Sequence, residues 1–167
     1  MIRSTKFLSL LLVLAVVFLA SCSEDSQMIS KDEYIEFYDQ TAGQLGFESQ
    51  AELIEEDDTF AFLAFDGIFT VGFTVDKSGF ITFLSISTSS ELGKALKTEE
   101  QLHEVLLWAS YLALPFYKTA PIEYTETDNA TVAGMLLASF EEEVLFDCMI
   151  CTSSKNENGI TISFIPT

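Results

Sequence analysis

The sequence has few basic residues. Of its 167 residues, 8 are lysine or arginine and 26 are aspartate or glutamate, and Arg3 is the only arginine. Arginine supplies the bidentate fork that binds phosphate and carboxylate groups. A nucleic-acid-binding surface needs a basic patch that displaces counterions. We therefore expect no nucleic acid and no nucleotide among the ligands of this chain.

Residue types that commonly carry catalysis or bind metals are also scarce. His103 is the only histidine, and no serine or cysteine nucleophile motif accompanies it. There is no glycine-rich phosphate loop. Zinc would lack a second cysteine pair, and the acidic runs at residues 55–58 and 141–143 lack the spacing of an EF-hand. The sequence thus indicates no catalytic residue, no metal site and no cofactor.

The first 21 residues have the layout of a secretory signal peptide. Two basic residues are followed by an apolar run over residues 7–20, which ends in the motif Leu19-Ala20-Ser21-Cys22. This motif resembles the lipobox of bacterial lipoproteins. The resemblance implies cleavage before Cys22, transfer of a diacylglycerol to its thiol, and an extracytoplasmic location at a cell membrane or an outer membrane. The alternative is a transmembrane anchor, although the run is shorter than the ~20 residues of a spanning helix.

Removal of the leader leaves a strongly acidic chain. The leader holds two basic residues and no acidic one, so 6 basic and 26 acidic residues remain and the net charge becomes −20. The expected organisation is a signal peptide over residues 1–21, a short tether over residues 22–29 and a single α+β domain over residues 30–167, a common domain size. Such a charge suits a basic protein or peptide as partner.

Helical patterns recur four times in the domain. Ser30 with Glu33, and Thr98 with Gln101, match capping boxes. Between residues 105 and 114 only Ser110 is polar, so the helix after Thr98 is expected to be buried all round. The predicted helices are residues 31–43, residues 51–56, the main helix after Thr98 with a bend or an end at Pro115, and residues 130–142 capped by Asp128.

Alternating patterns predict strands in two places. A three-stranded meander over residues 60–88 turns at Asp66-Gly67 and at residues 76–79, and a closing hairpin joins residues 144–151 to residues 160–165. We therefore expect a mainly antiparallel five-stranded sheet packed against a long central helix, with an N-terminal helix. Cys148 and Cys151 fall in one predicted strand, where they are either two free thiols or a disulfide at a local bend.

The register of the first turn divides the meander into two faces. It predicts one core face that contains Phe60, Phe62, Ala64, Phe69, Val71, Phe73 and Val75. On the reverse face it groups Leu63, Phe65 and Ile68, which form either a binding face or a surface covered by the third helix.

Two functions from different classes are compatible with the sequence. The first is a non-enzymatic binding or accessory lipoprotein that recognises a basic protein or peptide. The alternative is a small carboxylate-dependent hydrolase of the cell envelope, because 26 acidic residues could supply an acid and a base.

Overall fold

The computed structural model describes residues 28–48, 53–117, 125–147 and 149–167. These residues form an α+β fold of four helices and one antiparallel sheet of seven strands. The helices are α1 (Lys31–Leu45), α2 (Ser90–Ala95), α3 (Glu99–Tyr117) and α4 (Glu126–Ala138). The strands are β1 (Ile54–Glu56), β2 (Thr59–Ala64), β3 (Phe69–Val75), β4 (Ile81–Thr88), β5 (Val144–Phe146), β6 (Met149–Asn156) and β7 (Gly159–Pro166). Their order across the sheet is β1-β2-β3-β4-β7-β6-β5.

Helix α1 begins at the predicted capping box. The Ser30 hydroxyl accepts a hydrogen bond from the backbone N–H of Glu33, and the Glu33 carboxylate accepts one from the backbone N–H of Ser30 at 2.9 Å. Two groups that the helix leaves without a backbone partner are thus satisfied. The buried stripe of α1 is Tyr34, Tyr38 and Ala42, at the spacing of four residues that places side chains on one face.

Helices α3 and α4 pack against each other. The Thr98–Gln101 cap of α3 is confirmed, and Pro115 lies within the helix. The cap of α4 differs from the prediction, because Thr125 is the N-cap and Asp128 reaches back to it as the third helical residue. Asp128 had been predicted as the cap itself. The helix therefore starts and ends about four residues earlier than expected.

The predicted core face of the meander is confirmed. Phe60 pairs with Phe73 and Phe62 with Val71, the register that places Phe65 level with Ile68. Its side chains are buried beneath the helices except that of Val75, which is half-buried where the pairing of β3 with β4 shifts register. Helix α1 packs directly on the face, since the rings of Tyr34 and Tyr38 lie 6.5 and 4.8 Å from that of Phe62. The core is therefore a layer between the sheet and the helices.

The sheet has seven strands where the sequence predicted five. The first addition is β1, because residues 54–56, predicted as part of a helix, pair with β2 across a turn at Asp57 and Asp58. The second arises because the predicted strand over residues 144–151 folds back on itself as β5 and β6, with Phe146 opposite Met149. The long central helix is one of four helices, of which α2 was not predicted, and the helix predicted over residues 51–56 is absent from the described part of that range, residues 53–56. The antiparallel α+β class is correct, but the number of strands was underestimated.

The antiparallel order gives the sheet two distinct ends. We call one the tether end, because residues 28–30 enter there beside the β3–β4 turn and the connections β1–β2 and β5–β6 lie at the same level. We call the other the pocket end, where the β2–β3 and β6–β7 turns lie and α2 follows β4. Within the described ranges no helix is long and apolar enough to cross a membrane.

Candidate functional site

The three residues of the predicted binding face do not lie together. Phe65 is fully buried, so its expected placement on the reverse face is wrong. Its φ of 51°, followed by positive φ values at Asp66 and Gly67, ends the alternation of the strand and turns the ring toward the helices. The rings of Tyr38 and Trp108 each lie 5.6 Å from it.

A hydrogen bond fixes the backbone at this turn. The N–H of Phe65 donates to the hydroxyl of Tyr38 at 3.1 Å, and the N–H of Ile68 donates to the carbonyl of Phe65 at 3.1 Å. Burial raises the pKa of Tyr38, which keeps the phenol protonated. The turn is therefore anchored to α1 through one buried side chain and holds Ile68 in a defined position.

Leu63 lies away from this cluster, on the face of the sheet opposite the helices. We call this the open face, and its other members are mainly small hydroxyl or glycine residues: Thr70, Gly72, Thr74, Ser85, Ser87, Thr152, Ser154, Thr161 and Ser163. Leu63 is 64% exposed there and pairs with Thr70. An exposed leucine at such a position is common on protein surfaces.

Ile68, the third predicted residue, lines an apolar pocket at the pocket end. The pocket has a volume of about 330 Å³ and lies between the β2–β3 turn, α2 and α3. Its lining is Ile68, Leu92, Ala95, Leu96, Gln101, Glu104, Val105 and Trp108. The volume is at the lower end of the range for small-molecule sites, which is enough for one or two apolar side chains.

Helix α2 forms one wall of the pocket and is held there by close backbone contacts. Ser89 caps the helix by accepting from the N–H of Leu92. A Cβ on Gly93 would lie 2.1 Å from Cα of Gly159 in the β6–β7 turn, so only glycine fits. The Lys155 ammonium donates to the carbonyl of Leu96 at 2.7 Å. The wall is therefore fixed to the sheet.

The chemistry of the pocket is that of an apolar cleft with a polar rim. Gln101 is engaged in the α3 cap, where its side-chain oxygen accepts from the N–H groups of Lys97 and Thr98. Glu104 adds a carboxylate to the rim. Trp108 supplies an aromatic wall, with its ring edge-on to that of Phe47 at 5.6 Å. An apolar group with a positive charge beside it would fit this arrangement.

A second, more open cavity of about 520 Å³ lies along α1. It is lined by Lys31, Asp32, Ile35, Glu36, Asp39, Gln40 and Leu53. One carboxylate oxygen of Asp39 is buried there without a hydrogen-bond partner among the described residues.

Of the remaining residues considered in the sequence, the structure describes Cys151 and His103, and neither lines one of these two cavities. Cys22 and Cys148 fall outside the described residues. Cys151 is a buried free thiol, and burial raises its pKa to about 11, so it is protonated at neutral pH. His103 is exposed on α3. Within the described ranges, no group of three histidine, cysteine or acidic side chains could hold a metal ion.

The sequence analysis did not identify the pocket, although its parts leave a signal. Leu92 and Leu96 follow Ser89 at the spacing of a capped helix. Trp108, expected to be buried with the rest of its helix, is half-buried. Fold and site together define a small α+β domain with one helix-covered sheet and an apolar pocket at one end of it. No family model, no curated protein and no solved structure matches the chain.

Proposed function

We propose that this chain is a lipid-anchored extracytoplasmic bacterial protein that acts without catalysis, as a binding module for a basic, partly apolar protein or peptide. The observation that carries the binding role is the apolar pocket formed by Ile68, α2 and Trp108. The lipobox-like motif at Cys22 carries the anchoring role.

The charge of the domain supports the choice of partner. A net charge of −20 after cleavage attracts a basic molecule over several ångströms and raises its rate of association. The pocket then supplies contacts that charge alone does not give, since desolvated apolar and aromatic side chains dominate binding energy. The charge thus raises the rate of association, and the pocket keeps the partner bound.

The anchoring role is tested by replacing Cys22. Without its thiol the protein should accumulate as unprocessed precursor that lacks the lipid, as mass spectrometry of Cys22→Ala would show. Cys148→Ser is the matched control, because it removes another thiol and should mature normally. A Cys22→Ala protein that matured to the same size and partitioned identically into detergent would contradict the proposal.

The binding role is tested by recovering partners from the native envelope with the lipidated protein. Ile68→Ser should abolish recovery of a basic partner without a change in melting temperature greater than a few degrees, because Ile68 is half-buried at the rim. Leu63→Ser is the control on the open face and should retain the partner. Recovery should also fall as salt rises, since screening shortens electrostatic attraction to ~10 Å at 0.1 M. Loss with Leu63→Ser alone would move the site to the open face.

A further inference from the structure

The tether end of the domain is fixed close to the proposed lipid. The N–H of Ile81 donates to the carbonyl of Ile29 at 2.9 Å, and the N–H of Lys31 donates to the carbonyl of Gly79 at 2.9 Å. These two bonds make up the antiparallel β-bridge between Ser30 and Phe80. The chain therefore enters the fold alongside the β3–β4 turn, at a point that two backbone hydrogen bonds define.

The length of chain before this point limits how far the domain can move from its anchor. Six residues separate Cys22 from Ile29, and even a fully extended chain would span at most ~25 Å over that distance. That reach is less than the thickness of a bilayer including its headgroups. The tether end must therefore stay near the membrane surface if Cys22 carries lipid.

Apart from Ile54 and Leu63 on β1 and β2, the large apolar side chains of the open face lie in one row at this same end. Leu145 pairs with Ile150, and Ile150 with Ile165. Phe83 continues the line on β4, because its neighbour Leu84 pairs with Phe164, the neighbour of Ile165. We call these four residues the apolar row. Leu145 is 63% exposed, Ile165 46% and Phe83 36%. The next full row of the open face is serine, threonine and glycine on β3, β4, β7 and β6, with Ala61 on β2 and Ile54, 69% exposed, on the edge strand β1.

We propose that the apolar row is a membrane-contact surface, which the lipid on Cys22 presses against the headgroup region of the bilayer. This inference rests on the proposed lipidation. It gives the domain a fixed orientation, in which the apolar row and the tether end face the lipid. The pocket that contains Ile68 then points away from the membrane, toward its partner.

The charges at the tether end decide which lipids the row contacts. Asp57, Asp58, Asp76 and Asp147 lie in its turns, against two lysines, Lys77 in the β3–β4 turn and Lys31 beside it. Such an end is repelled by an anionic surface, so the contact is with zwitterionic lipid. The net charge of −20 also opposes a second copy as occupant of the row, because two such domains repel each other.

The test measures the depth of a single tryptophan in vesicles. In a Trp108→Phe background, Leu145→Trp places the only tryptophan on the apolar row, and Leu63→Trp places it on the same face at the pocket end. The two positions are 63% and 64% exposed, so they form a matched pair. Lipidated protein is reconstituted into phosphatidylcholine whose acyl chains are brominated, and fluorescence quenching is recorded.

Bromine should quench the tryptophan at position 145 at least threefold more than the one at position 63, and the difference should shrink when phosphatidylglycerol is added. Equal quenching at the two positions would overturn the inference. Protection of position 145 from acrylamide without bromine quenching would also overturn it, because that result indicates a second copy on the row.

The mass of the lipid adduct and cosedimentation with vesicles are measured first. Their absence would overturn the proposed anchoring as well, whereas their presence with equal quenching overturns the orientation alone.

Discussion

The two faces of the sheet differ in burial, although the same strands form both. Phe62 is 2% exposed and its neighbour Leu63 is 64% exposed, because successive side chains of a strand point to opposite faces. The covered face packs large rings against α1 and α3, for example Phe164 against Phe116 at 5.2 Å. The open face carries mainly hydroxyl groups. The large buried side chains that stabilise the fold are therefore concentrated on one side of the sheet.

The largest effect is expected where a charge enters the covered side. Leu106 is fully buried in α3, and an unpaired buried charge costs several kcal/mol against a total stability of roughly 5–15 kcal/mol. Leu106→Asp should therefore unfold the domain, as loss of the cooperative thermal transition would show. Leu137→Asp is the control, because Leu137 is an exposed leucine on α4 and its variant should melt almost as the parent does. A normal melt for Leu106→Asp would mean that α3 is not buried.

Adjacent residues on β2 give the sharpest test of the difference between the faces. Phe62→Ala removes a buried ring and should cost about 3–5 kcal/mol, whereas Leu63→Ala should change the free energy of unfolding by less than about 0.5 kcal/mol. Urea denaturation of both variants gives the two values. Comparable losses would mean that the open face is covered in solution and that the two faces do not differ in role.

The turn that takes Phe65 into the core has a backbone signature of its own. Both Phe65→Ala and Phe65→Gly remove the ring, which should cost about 3 kcal/mol or more. The glycine variant should have the higher free energy of unfolding by about 1 kcal/mol, because a φ of 51° strains every residue that has a Cβ. Chemical denaturation of the pair measures this difference. If alanine were the more stable variant, Phe65 would not occupy the left-handed region.

The smallest effect is expected at the start of α1, on the rim of the covered side. Hydrogen bonds from Ser30 lower the pKa of Glu33, so the folded state favours the carboxylate. The resulting stabilisation is present above the unfolded pKa, near 4.3, and is lost as pH falls through the lower folded value. Glu33→Gln should therefore be less stable than the parent at pH 7, and the gap in melting temperature should close toward pH 3. A gap that stayed constant with pH would assign the effect to shape and not to charge.

The covered face could be predicted because it depends on alternation, and alternation is visible in the sequence. Asp66-Gly67 set the register, and the pairing of Phe60 with Phe73 followed. The capping boxes at Ser30 and Thr98 located α1 and α3 for a similar reason, since each needs only two residues at fixed spacing. The features predicted correctly from the sequence are therefore those set by residues close together in the chain.

The misses come from turns whose residues are not typical of them. Asp57 and Asp58 both adopt positive φ, at 48° and 61°, as a two-residue hairpin turn requires, but that turn normally carries Asn-Gly or Asp-Gly. The helical pattern over residues 51–56 was therefore preferred to β1. The wrong placement of Phe65 has the same cause, because a bulky residue at positive φ is uncommon. The pocket was missed because α2 has only six residues, too few to show a helical period.

The position of β7 bears on when this domain can form. It is the last of the seven strands along the chain, yet it pairs with β4 on one side and β6 on the other, near the middle of the sheet. A chain emerging from a ribosome or a translocation channel presents its N-terminal residues first, so the meander must wait for residues 159–166 before β5 and β6 can join it. The seven-stranded sheet can therefore be completed only after residues 159–166 have emerged, and a truncation that removes β7 should leave β1–β4 and β5–β6 unjoined.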